Sequence, residues 1–175
     1  MTQLVFIPGL AADAIMGQHQ MGAMPAQLQP AVTDVHMRHV TLPEMAATLL
    51  QQHSGELILC GASMGGMLAM EVVHQAPQRT KGLALLGTTA RPETDAMRAR
   101  PDARLHLGLV SCPTLVLCGD SDQLTLPECS REIVQLIKGS EFKLVPQCGH
   151  LLTMERPAEV TTALLVWLAT IAPLN

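Results

Sequence analysis

The sequence predicts an α/β fold: a three-layer α/β/α sandwich around a mostly parallel sheet of about six strands. Three observations carry that prediction. Short apolar runs alternate with stretches of helical spacing along the 175 residues. Most of those runs are continuously apolar rather than alternating, as strands covered on both faces are. Finally, Gly61-Ala62-Ser63-Met64-Gly65-Gly66 stands between one such run, Leu57-Ile58-Leu59-Cys60, and a helical pattern, Leu68-Ala69-Met70-Glu71-Val72-Val73. Right-handed crossovers put every strand-to-helix loop at one edge of the sheet, where open α/β sheets place their sites.

The elements follow in order. Leu4-Val5-Phe6-Ile7 reads as a buried strand stopped by Pro8-Gly9. A weak helix is expected over 16–28, and a second, poorly defined strand over 31–40. Residues 43–53 have helical spacing, with Met45, Leu49 and Gln52 on neighbouring turns and Pro43 in a first-turn position. A strand over 56–60 leads into the central turn, and a helix over 64–75 leads out of it. A fourth strand covers 82–87, and the polar, charged stretch 88–111 is the one soft region expected. Pro113-Thr114-Leu115-Val116-Leu117-Cys118 is a fifth strand closed by Gly119. The helix over 127–137 starts on a proline and stops at Lys138-Gly139. A sixth strand over 142–145 and a helix over 158–171 complete the chain, which shows no repeat and no low-complexity segment.

The length suits a single domain, 1–175, with one sizeable core. At 48% hydrophobic and 15% charged residues the chain is not disordered. No apolar run is long enough for a bilayer span, so no membrane insertion is expected. The opening residues carry no basic stretch, and Pro8-Gly9 interrupts the apolar run after them, so no signal peptide is expected and the cytoplasm is the predicted location. A net charge of −4 argues against nucleic acid as a partner. Cys60, Cys112, Cys118, Cys129 and Cys148 are odd in number and form no C-x-x-C pair; they read as small apolar residues in a reducing compartment. With two phenylalanines, one tryptophan, no tyrosine and 11 methionines, the core must be aliphatic, with methionine filling its irregular gaps.

The central turn carries the chemistry. G-x-S-x-G between a strand and a helix is a nucleophile elbow. Glycines two residues either side of Ser63 let the backbones close, the hydroxyl is pushed out at the carboxyl end of the sheet, and the next helix aims its amide-rich N-terminus at the same spot. The bland alternative is a Gly-rich turn. Serine needs a base, and the base needs an orienting acid. The elbow resembles that of the α/β-hydrolases, and this resemblance implies a chain order of serine, acid, histidine. His19, His36, His39 and His53 precede Ser63; His74 falls in the helix after it and His106 in the irregular stretch. His150, in Gln147-Cys148-Gly149-His150 after the sixth strand, is left as the base, its alternative being a surface loop histidine. The acid belongs after the fifth strand, where Asp120 and Asp122 both qualify. One would accept the imidazole N–H and the other would close the turn, and position alone does not separate them. Asp95 is a third candidate. The oxyanion donors are expected to be the amides of Met64 and Leu10, with Gly9 letting the backbone approach. Gly9, Leu10, Met64 and Leu151 are the expected substrate contacts; plain core packing is the alternative for the side chains of Leu10 and Met64.

Other signals are weaker. His36 and His39 have no third ligand nearby, so no metal site is expected. Arg91, Arg98, Arg100 and Arg104 could attract an acidic acyl group or a coenzyme A phosphate, but Glu93, Asp95 and Asp102 are interleaved with them, as in a solvated loop. Met16, Met21, Met24 and Met97 could rim the site or pack in a core or dimer.

Taken together, Phe6-Ile7-Pro8-Gly9-Leu10, the elbow, Gly87-Thr88-Thr89-Ala90-Arg91-Pro92, Cys112-Pro113-Thr114-Leu115-Val116-Leu117, and Gly149-His150 with Glu155-Arg156-Pro157 resemble the α/β-hydrolase superfamily. The likeness is to its small bacterial carboxylesterase-type members and runs over nearly the whole chain. It implies Asp122 as the acid, at the family's place in a Gly-x-x-Asp stretch that begins at Gly119. It also shows departures. Pro8 replaces the usual histidine before the oxyanion glycine. Two opening strands of the family have no counterpart, and the helical cap is missing, with Arg98-Ala99-Arg100-Pro101 in the short connector 88–111 joining its two sides. The implied fold is a minimal, lidless α/β-hydrolase with Ser63 open to solvent, broad specificity and a tendency to form a homodimer. The implied activity is a serine hydrolase cleaving carboxylic esters through an acyl-enzyme, with Ser63, Asp122 and His150 as the triad. Its partner would be a small-molecule ester or thioester, with no metal or organic cofactor. A thioesterase or acyltransferase with the same triad, and an inactive binding or scaffold relic of a hydrolase, are the rival readings.

Overall fold

A computed structural model of the chain describes residues 1–10, 12–92 and 101–171. Asp95, Met97, Arg98 and Arg100 lie outside the described residues.

Six strands form one sheet: β1 (Thr2–Ile7), β2 (Ala31–Val32), β3 (Glu56–Ala62), β4 (Thr80–Leu86), β5 (Thr114–Gly119) and β6 (Glu141–Val145). Their order is β2-β1-β3-β4-β5-β6, and every pairing is parallel. The helices are α1 (Gln18–Met21), α2 (Leu42–Gln52), α3 (Met64–Gln75), α4 (Arg104–Leu107), α5 (Pro127–Leu136), α6 (Leu152–Glu155) and α7 (Pro157–Ile171).

Successive residues of a strand point to opposite faces, so each central strand feeds two cores. Leu57, Leu59, Leu83, Leu85 and Val116 pack on one face with Leu42, Met45, Leu49, Leu68, Val72 and Ile133 of α2, α3 and α5. Ile58, Cys60, Ala84, Leu86, Leu115 and Leu117 pack on the other with Val160, Leu164, Trp167 and Leu168 of α7. Burial on both faces is why these strands read as unbroken apolar runs. The cores are aliphatic, with Phe6 and Trp167 as buried aromatics and Met24, Met45, Met64, Met67 and Met70 among the fillers. No helix among the described residues is long and apolar enough to cross a membrane.

The central elements lie where the sequence predicts them, α3 to the residue. Two predictions near the start need correction. The strand expected over 31–40 shrinks to Ala31–Val32. Its ladder with β1 ends once the Thr33 amide has bonded the Phe6 carbonyl at 3.0 Å, and a 3₁₀ turn over Val35–Met37 then drops Val35 into the first core. The single helix expected over 16–28 is three short turns, Ala14–Gly17, α1 and Ala26–Leu28. Gly17 and Gly22 weaken helical continuity, and Pro25 cannot extend it. Among its described residues, the stretch 88–111 contains the helical turn α4, and α7 is preceded by another, α6.

Candidate active site

The elbow is built by space rather than by backbone freedom at its glycines. A Cβ on Gly61 would fall on the Gly65 carbonyl, and one on Gly65 would fall on the carbonyl of Ile7 in β1. Only with both side chains absent can β3, α3 and β1 approach so closely. The unusual backbone belongs to Ser63, at φ 53°, ψ −121°, a region that costs a non-glycine residue energy. Three hydrogen bonds hold it there. The Ser63 amide donates to Leu86 O at 2.9 Å, the Gly66 amide donates to Ser63 O at 2.9 Å, and Thr88 Oγ1 donates to Ser63 O at 2.7 Å. The Thr88 methyl and hydroxyl also fill the space that a Cβ on Gly66 would need.

His150 approaches from the loop after β6. Its Nε2 lies 3.0 Å from Ser63 Oγ, and its Nδ1 lies 2.9 Å from Asp122 Oδ2 and 3.2 Å from Oδ1. An ionised carboxylate only accepts, so Nδ1 carries the proton and Nε2 is free to accept the serine O–H. Asp122 is 1% exposed, and its ionised form is well supplied with donors. Oδ1 accepts the amides of Leu124 and Thr125, both at 2.9 Å, and Oδ2 accepts Thr125 Oγ1 at 2.8 Å. Burial pushes its pKa up, but the bonds from His150, Thr125 and Leu124 together outweigh that and hold it below the usual carboxylate value.

Asp120, the other aspartate of the same loop, takes a different position. Its Oδ2 accepts the Gln147 amide at 3.0 Å, and its Oδ1 accepts the Cys148 amide at 3.3 Å and Ser121 Oγ at 2.8 Å. Ser121 first, then the two amides, keep it below the usual value. It therefore braces the loop that carries His150, while Asp122 meets the ring. Glu155 braces the same loop from the other side, accepting the amides of Gly149 at 2.6 Å and Leu151 at 2.9 Å.

The oxyanion candidates flank the serine. A Cβ on Gly9 would lie 3.2 Å from Ser63 Cβ and 3.8 Å from its Oγ, so the β1 loop runs directly against the hydroxyl. Met64 is the first residue of α3, where an amide has no partner within the helix. The Met64 side chain is 4% exposed, whereas Leu10 is 71% and Leu151 42% exposed. A cavity of about 20 Å³ is bordered by Phe6, Pro8, Met16, Ala62, Leu86 and Thr153, and none of the four expected substrate contacts borders it.

Five of the six other histidines have partners away from Ser63. His74 and His106 stack on each other with centroids 3.7 Å apart, His36 meets the Ala12 carbonyl, His39 meets Thr48 and His53 meets Gln3. Among the described residues no group of three or more His, Cys, Asp or Glu side chains could hold a metal ion. Arg91 pairs with Glu132, and Arg104 with Asp102 and Glu132. Met24 is buried in the second core with Met21 against it, so these two methionines are packing residues. The sequence assigns no role to Thr88, Thr125 or Glu155, although Thr88 and Glu155 stand in the stretches that carry the family resemblance. Only Thr125 had a local signal, since Asp side chains commonly bond backbone amides two and three residues on.

Known proteins share this arrangement of elements. The chain is 32% identical over 173 residues to a Mycobacterium tuberculosis protein named as a non-heme bromoperoxidase, BpoC, in an alignment covering 96% of this chain and 63% of that protein. The chain thus spans about 63% of the length of this curated relative. A thermophilic esterase from Thermogutta terrifontis superposes with a TM-score of 0.82 at 22% identity, covering 98% of this chain and 90% of that one. An alpha/beta hydrolase enzyme from a sediment metagenome of the Mar Chica lagoon superposes with a TM-score of 0.76 at 17% identity, covering 97% and 92%. At those identities the two structures speak for the fold alone. The family model described as alpha/beta hydrolase domain matches residues 25–170, a span that takes in the elbow, the acid loop and the histidine loop, and the chain belongs to that family.

Proposed function

We propose that this chain is a serine hydrolase that cleaves carboxylic esters by way of an acyl-enzyme. Ser63 Oγ attacks the ester carbonyl carbon while His150 Nε2 takes its proton. The amides of Met64 and Leu10 receive the charge that develops on the carbonyl oxygen. When the tetrahedral intermediate collapses, the carbon–oxygen bond to the alcohol breaks, and His150 returns the proton to that leaving oxygen. A water molecule then attacks the acyl-serine. Nε2 takes the water's proton and passes it to Ser63 Oγ as the carboxylic acid departs. Asp122 keeps Nδ1 protonated throughout and stabilises the imidazolium formed in each half-reaction.

The observation that carries this reading is a convergence. Side chains that follow β3, β5 and β6 meet at His150, 3.0 Å from Ser63 and 2.9 Å from Asp122, although 87 and 28 positions separate the two pairs in the chain. Ser63→Ala is expected to abolish hydrolysis of p-nitrophenyl acetate and labelling by a fluorophosphonate. Full turnover in that variant would overturn the reading.

A further inference from the structure

We infer that Glu155 is a positioning residue for His150, an inference that rests on the reading of Ser63, Asp122 and His150 as a hydrolytic triad. His150 sits between the end of β6 at Val145 and the start of α6 at Leu152, on a stretch whose shape is set by side chains. Glu155 closes the single turn of α6, and its carboxylate folds back on that stretch. Oε2 accepts the Gly149 amide at 2.6 Å and Oε1 accepts the Leu151 amide at 2.9 Å. These two amides are the ones flanking His150, so one anion grips the backbone on both sides of the base. Bonds from N–H to a carboxylate are shorter and stronger than neutral ones, and neighbouring amides turned to one anion form a cradle for it. Gly149 fits the same arrangement, because a Cβ there would lie 3.1 Å from both carboxylate oxygens.

The far end of the stretch is held in the same manner. Asp120 accepts the amides of Gln147 and Cys148, and Arg156 Nε donates to Gln147 O at 3.1 Å. Asp122 fixes the ring through Nδ1, but it does not fix the Cα from which the ring hangs. Glu155 does. Without it the imidazole keeps its bond to Asp122 while Nε2 is no longer held 3.0 Å from Ser63 Oγ.

The test is Glu155→Gln, which keeps the shape but turns an amide donor toward one of the two N–H groups. Because a misplacement near 1 Å can cost up to about 100-fold in rate, kcat on p-nitrophenyl acetate should fall about 10- to 100-fold while KM stays within about twofold. Fluorophosphonate labelling of Ser63 should slow in step. The downfield proton signal of the His150 Nδ1–H should broaden at temperatures well below the unfolding midpoint, a change that mere loss of stability would not produce there. If Glu155→Gln does not fold, Glu155→Asp, which keeps the charge but is too short to reach both amides, is measured in the same way. A folded variant with wild-type kcat, beside inactive His150→Ala and Ser63→Ala, overturns the positioning role alone. Persistent turnover in His150→Ala overturns the triad and the positioning role together.

Discussion

At the scale of single residues, Asp122 and Asp120 show how little separates a partner for the His150 ring from a brace of its loop. Both lie on the loop after β5, two positions apart, and both are held ionised, yet one meets an imidazole and the other meets backbone amides. The serine and the histidine were legible in the sequence because each comes with a local marker: the glycines around Ser63, and a strand end before His150. The geometry between the aspartates depends on how the 119–125 turn folds, so spacing alone left them equal. Thr125 follows an aspartate in a turn, a local signal, whereas Glu155 and Thr88 act through contacts that their spacing from the serine and the histidine does not announce. Asp122→Asn should lower kcat by about 10³- to 10⁴-fold, because an amide there favours the wrong imidazole tautomer. The same variant tests the pH dependence of stability. Burial raises the Asp122 pKa, but the bonds from His150, Thr125 and Leu124 prevail, so the folded chain releases this proton more readily than the unfolded chain. The unfolded state therefore binds the proton first as pH falls. The stabilisation is fully present above the ordinary value of 3.8 and drains away as pH drops through the lower folded value. Urea midpoints followed from pH 7 to pH 2.5 should converge between wild type and Asp122→Asn at the acid end. A gap that stays constant would contradict the lowered value.

At the scale of elements, the turn between β3 and α3 tolerates little change. Gly61→Ala drives a methyl into the Gly65 carbonyl, and because both partners are backbone in closely packed elements, neither can give way. The expected loss is at least about 2–3 kcal/mol in denaturant unfolding. Gly108, at the end of α4, is the opposite case. Its φ of −65° and ψ of −13° suit any residue, and a Cβ there meets nothing within 4 Å. Gly108→Ala should therefore stabilise the chain by about 0.4–1 kcal/mol by restricting the unfolded state. A Gly108 variant less stable than Gly61→Ala would refute the contrast. The same difference in constraint explains which elements could be read in advance. Central strands buried on both faces write long apolar runs, and α3 begins and ends where its spacing says. The short β2 writes almost nothing, since what ends it is the ladder of its neighbour β1 rather than its own residues.

At the scale of the whole molecule, four leucines beside the candidate site in sequence are exposed. Leu10, Leu124, Leu126 and Leu151 are 71%, 69%, 48% and 42% exposed. Each is next in sequence to a residue that touches the site: Leu10 to Gly9, Leu124 and Leu126 to Thr125, and Leu151 to His150. Contiguous apolar surface favours association, and we propose that these four leucines form a rim on which a second copy of the chain docks. Leu126 gives the sharpest test because it has two roles. It is the N-cap of α5, with no side-chain bond to the helix amides, and its φ of −50° and ψ of 149° are those of an extended cap. Leu126→Ser removes apolar surface from the rim and supplies a hydroxyl to the first turn of α5. The variant should gain about 0.5–1 kcal/mol in unfolding free energy per chain from the cap. In sedimentation velocity over rising concentration, wild type should shift from monomer toward dimer, and Leu126→Ser should make that shift only at higher concentration. A wild-type chain that sediments as a monomer throughout would remove the dimer, whereas a variant stabilised by its cap but unchanged in association would place the contact elsewhere on the rim.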